Sequence, residues 1–154
     1  MSADTLRQLV ADLIVAASAL SGYPAPADSP NVVLVPHEVL EEKACGQPCR
    51  VYGWSPPGAT IYLDSRLDLD GNLFARSILV HELTHFLQQE SGKYSTHRSC
   101  SEWVEREREA YLVQFRWLAR EQGGPVTVPP EMGGMPWQVR CEDEPESGKG
   151  GLGG

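Results

Sequence analysis

LFARSILVHELTHFLQQ, residues 73–89, contains neither glycine nor proline and carries apolar side chains on nearly every side of a helical projection. That pattern predicts a helix from Leu73 to about Gln89, buried on most of its faces and stopped by Ser91-Gly92. Asp68, Asp70, Gly71 and Asn72 precede it and favour a turn and a helix start. Asp-Leu-Asp-Gly-Asn shares residue types with a calcium loop. It lacks that loop's full spacing and closing bidentate glutamate, so a turn with a cap is the expectation.

Inside this helix lies HELTH, residues 81–85. Positions i and i+4 share a helix face, so His81 and His85 can aim imidazole nitrogens at one point. Glu82 is rotated by about 100° from His81. It stands beside that point rather than between the two rings, where a general base can take a proton from a water without displacing it. Two histidines at ligand spacing, with an acid in the position of the base, point to a zinc site. His37 and His97 have no such neighbours, and His37 is expected in a loop after a strand.

A catalytic zinc takes three protein ligands and keeps one position for water. SCSEWVEREREAYLVQFRWLAR, residues 99–120, predicts a long helix from about Ser101 to Arg120 and offers Glu102, Glu105, Glu107 and Glu109. A ligand-bearing helix must approach the first closely, which favours a small residue one turn on. Glu107 has Ala110 there, and it shares a face with Trp103, Gln114, Trp117 and Leu118. Glu107 is the expected third ligand, with Glu109 second and Glu105 third. The remaining acids read as a solvated face paired with Arg106 and Arg108.

HELTH at 81–85 and EREAY at 107–111 together resemble the zincin metallopeptidases of the gluzincin type. In those, HExxH supplies two histidines and the base, and a downstream glutamate is the third ligand. The resemblance spans about Tyr62 to Leu118. It implies one Zn2+ ion on His81, His85 and Glu107, catalysis by Glu82, and a peptide or protein substrate. The family often has an acidic residue or Asn where this chain has Tyr111, a phenol that can still donate a hydrogen bond. ATIYLD, residues 59–64, resembles the edge strand along which such enzymes lay an extended substrate. Tyr94, His97, Arg98 and Tyr111 are the candidates for stabilising an oxyanion. HELTHFLQQ and EAY are also similar to small zincin domains found alone or within toxin-like proteins.

The rest of the chain sets the frame. Its 154 residues, 41% of them hydrophobic, suffice for one substantial core and predict a single domain over 1–140, followed by an acidic, glycine-rich tail at 141–154. Leu6, Leu9, Val10, Leu13, Ile14, Ala17 and Leu20 recur at three-and-four spacing, which predicts an amphipathic N-terminal helix rather than a secretion signal. A proline-rich connector follows, then NVVLV as a strand stopped by Pro36, HEVLEEKAC as a helical turn or two, and RVYGW and ATIYLD as strands reversed at Pro-Pro-Gly. The expected fold is α+β: a minimal zincin-like domain with about three strands packed on the HExxH helix and a following ligand-bearing helix.

With 13 Lys plus Arg against 21 Asp plus Glu, the net charge is −8 and no basic run reaches four residues. Nucleic acid is therefore not an expected partner, and no apolar run reaches the roughly 20 residues that span a bilayer. Cys45, Cys49, Cys100 and Cys141 allow two disulfides, one or none. Cys49–Cys100 is one candidate bridge, the sequence leaving connectivity open, and pairing implies a secreted or periplasmic location, its absence a cytoplasmic one. Three functions remain open at this level: a zinc peptidase, a non-catalytic adaptor on a zincin scaffold, and a toxin-like effector protease.

Overall fold

The computed structural model describes residues 1–94, 99–127 and 141. Helix α1, Ala3–Ser21, starts at Ser2, whose hydroxyl accepts from the Thr5 N–H at 3.1 Å, and ends at Gly22 in the left-handed region. Val10, Leu13, Ile14 and Ala17 form its buried stripe, as the three-and-four spacing requires. Strand β1, Asn31–Val35, is followed by α2, His37–Ala44, the two-residue strand β2, Gly53–Trp54, and β3, Thr60–Asp64. His37 is thus the first residue of a helix and not a loop residue, because Pro36 both ends the strand and starts the helix.

Helices α3, Leu73–Ser91, and α4, Cys100–Gln122, complete the fold. Asn72 caps α3 by accepting from the Ala75 N–H at 3.0 Å, and Asp68 turns the chain before it by accepting from the Gly71 N–H at 3.0 Å. Residues Ser77 to Gln88 are buried without interruption. A helix buried on every face needs neighbours on every face, and α1, α4 and the sheet supply them. Leu79, Leu83 and Leu87 are almost fully enclosed, each contributing about 1.5–3 kcal/mol by removal from water.

The sheet is mixed, in the order β1-β3-β2. β1 runs parallel to β3, with Asn31 opposite Thr60 and Val35 opposite Asp64, and β2 runs antiparallel to it, with Gly53 opposite Leu63 and Trp54 opposite Tyr62. ATIYLD is therefore the central strand and cannot receive a substrate along its edge. Both of its backbone edges are already paired, and the edge role passes to β2. RVYGW contributes only Gly53-Trp54 to the ladder.

The cysteines form two disulfides, neither of them the candidate Cys49–Cys100. Cys45 joins Cys49, and Cys100 joins Cys141. Cys45 ends α2, and four residues suffice to bring the Cα atoms within 6.5 Å. After α4 the chain returns to place Cys141 5.7 Å from Cys100 at the start of that helix. The disulfide ties Cys141 to Cys100; the rest of the expected tail, 142–154, lies outside the described residues. No helix among the described residues is long and apolar enough to cross a membrane.

Candidate metal centre

His81 and His85 lie one turn apart on α3, and Glu107 reaches them from α4. Glu107 Oε2 lies 3.0 Å from His81 Nε2, Glu107 Oε1 lies 2.9 Å from His85 Nε2, and the two Nε2 atoms are 3.2 Å apart. The fully buried Ala110, one turn along α4 from Glu107, permits this approach of the two helices. The structure thus brings together all three residues singled out as metal ligands. Glu105 is exposed, and Glu109 has other partners.

The hydrogen-bond network fixes which ring nitrogens carry protons. His85 Nδ1 meets Gln88 Oε1 at 2.8 Å, while Gln88 Nε2 donates to the carbonyl of Arg106 at 3.0 Å and to Glu109 Oε1 at 2.9 Å. Two acceptors on one side of the amide leave its oxygen facing His85, so Nδ1 must be the donor. His81 Nδ1 likewise meets Gln114 Oε1 at 2.9 Å, and Gln114 Nε2 donates to Ser77 Oγ, whose own proton goes to the Phe74 carbonyl. In their neutral forms both rings therefore present Nε2 lone pairs to the Glu107 carboxylate. Three acceptors within hydrogen-bonding distance and no donor among them require a cation or an added proton.

The electrostatics agree. Burial alone would raise the Glu107 carboxyl, but His85 and His81 hold it well below the usual carboxylate range. Burial opposes a charge on His85, yet Glu107 and Glu82 overcome this and push the ring up to about 9. The centre therefore attracts positive charge at the point where the side chains of His81, His85 and Glu107 meet. Glu82, 7% exposed, is pushed upward by burial against the pull of His81 and His85. That upward push raises its affinity for a proton.

A cleft of about 260 Å³ opens over these groups. Its walls include β2, Trp103 and Arg106 of α4, and Tyr111. The Tyr111 ring stands edge-on to His81, with centroids 4.4 Å apart. Burial, with Glu107 and Glu82 nearby, pushes its phenol upward, so it is protonated. Of the four oxyanion candidates, Tyr111 lines the cleft, Tyr94 is not among its lining residues, and His97 and Arg98 lie outside the described residues.

The roles of Gln88, Gln114 and Gly53 escaped the sequence reading, which placed Gln114 only on the face shared with Glu107. Gln88 stands three residues after His85 and Gln114 seven after Glu107, so helical spacing could have nominated both. Gly53 had no local signal, because its role arises from β2 lying against α3. No protein-family model, no characterised protein and no solved structure matches this chain. The functional reading accordingly rests on the site itself.

Proposed function

We propose that the chain is a zinc-dependent hydrolase of the gluzincin kind, cleaving peptide bonds with Glu82 as general base. The observation that carries this reading is the convergence of His81 Nε2, His85 Nε2 and the Glu107 carboxylate, with both Nδ1–H groups committed to glutamine oxygens. Two imidazoles and one carboxylate suit zinc better than the all-oxygen sets preferred by calcium or magnesium. A zinc ion held there supplies a Lewis acid that polarises a carbonyl and acidifies a water.

The chain's own groups account for the remainder. Glu82 accepts the proton of the attacking water and returns it to the departing amine, an acid–base contribution of about 10²–10⁴-fold. The Tyr111 phenol is a donor on the cleft wall that can hold developing negative charge. The position of β2 supports an extended peptide as substrate. Among the described residues it is the outer strand on that side of the sheet, and it lines the cleft beside Glu82, so its outer edge can pair with an extended peptide. Two disulfides favour an oxidising compartment for this activity.

Elemental analysis of the purified chain combined with a peptide-library digest tests the reading. The expected result is one zinc per chain and cleavage that Glu82→Gln abolishes without loss of metal. A metal-free wild type, or a fully active Glu82→Gln protein, ends it.

A further inference from the structure

Glu109 was a rival to Glu107 as third ligand, and the structure gives it a different task. It lies two residues along α4, about 200° around the helix from Glu107. Its side chain, 24% exposed, is surrounded by donors. Gln88 Nε2 reaches Oε1 at 2.9 Å, the Tyr23 hydroxyl donates to the same oxygen, and Lys93 Nζ lies 3.0 Å from Oε2. Tyr23 comes from the connector after α1 and Lys93 from just beyond α3, so three parts of the chain meet on this carboxylate.

Only one of those donors leads inward. Gln88 passes the constraint to His85, because its amide nitrogen is held by Glu109 and the Arg106 carbonyl while its oxygen receives His85 Nδ1–H. If the amide turned over, an NH2 group would face Nδ1. The ring would then place its proton on Nε2 and lose the lone pair aimed at Glu107. His81 has a separate support, Gln114 backed by Ser77. The two histidines are thus held by independent relays, and only that of His85 ends on a carboxylate.

We infer that Glu109 is a positioning residue for the metal centre: through Gln88 it fixes the orientation and the protonated nitrogen of His85, and so sets how tightly the site holds zinc. The inference rests on the metal reading above. It assigns Glu109 no contact with metal or substrate, and it treats Tyr23 and Lys93 as the groups that keep the carboxylate turned toward Gln88. Partners of this kind beyond the ligands typically alter metal affinity by about 10–100-fold when removed.

The test compares zinc affinity, by competition with a chromophoric chelator, in wild type, Glu109→Ala and Glu109→Gln. In parallel, nitrogen-15 spectra of the zinc-loaded proteins follow the two histidine Nδ1–H signals. Glu109→Ala should weaken zinc binding about tenfold and weaken or broaden the His85 Nδ1–H signal, leaving that of His81 in place. Glu109→Gln keeps an acceptor oxygen for Gln88 and should recover most of the affinity. General loosening of the fold would instead disturb both signals and would not be rescued by glutamine. Zinc binding within twofold of wild type in Glu109→Ala, with the His85 signal intact, overturns the proposal while leaving the metal reading standing. A wild type that takes up no zinc overturns both.

Discussion

Gly53 packs so closely on Glu82 that a Cβ added to it would stand 2.7 Å from Cγ of Glu82 and 3.0 Å from Cδ2 of Leu63. Glycine here lets β2 approach α3 and hold the carboxylate from above; the fit depends on space rather than on an unusual backbone angle. Gly53→Ala should push Glu82 aside and lower kcat by about tenfold or more, since a displacement near 1 Å can cost far more than that. Zinc content should stay unchanged. Steady-state kinetics with metal analysis of the same preparation checks this, and unaltered kcat would remove Gly53 from the argument.

On the proposed metal reading, zinc held by His81, His85 and Glu107 would stabilise the fold. At a free zinc concentration about 100 times Kd, binding adds about 2.7 kcal/mol, which for a chain of this size raises Tm by roughly 5–10 °C. In Glu107→Gln the carboxylate becomes a neutral amide with one oxygen replaced by NH2, and most of that rise should vanish. Differential scanning calorimetry with and without zinc measures it.

Gln114 carries the relay to His81. Replacing it with Leu removes the acceptor of His81 Nδ1–H and leaves Ser77 Oγ without its donor, in a region where Gln114 is 1% exposed. Zinc affinity should fall by about 10–100-fold. Chelator competition reads the change, and an affinity equal to wild type would show that His81 orients itself without help.

Asp64, at the end of the central strand and 1% exposed, accepts from both Arg66 Nε and Arg66 Nη2 and meets His37 Nδ1 at 2.8 Å. Burial would raise its carboxyl, but the hydrogen bonds from Arg66 and His37 hold it below its ordinary 3.8. A depressed folded-state value means that its stabilisation is fully present above the unfolded value and is lost as pH falls through the folded one. Asp64→Asn should therefore be less stable than wild type at pH 7, with the difference shrinking below about pH 4. Urea unfolding at several pH values tests it; a gap independent of pH would contradict the assignment.

The two disulfides differ in the length of chain they close, with separations of 41 and 4 residues. Loop-closure entropy gives about 4 kcal/mol for Cys100–Cys141 and about 2 kcal/mol for Cys45–Cys49. Replacing the Cys100–Cys141 pair by serines should lower stability more than replacing the other pair. Denaturant midpoints of the two double variants decide it.

The sequence by itself determined the three long helices and nominated His81, His85 and Glu107, the residues that converge, because helical periodicity places each on a face. The 73–89 stretch had to be a buried helix, HELTH had to place His81 and His85 on one face, and the small Ala110 marked Glu107 as the residue able to come close. Strand order, disulfide pairing and the relays through Gln88 and Gln114 depend on which distant segments meet, and periodicity carries no information about that. Only the tertiary structure decided that ATIYLD is central, that Gly53 touches Glu82 and that Glu109 supports His85 through Gln88. Each of these is a contact between elements far apart in the chain, set by how the whole core packs rather than by any residue's neighbours in sequence.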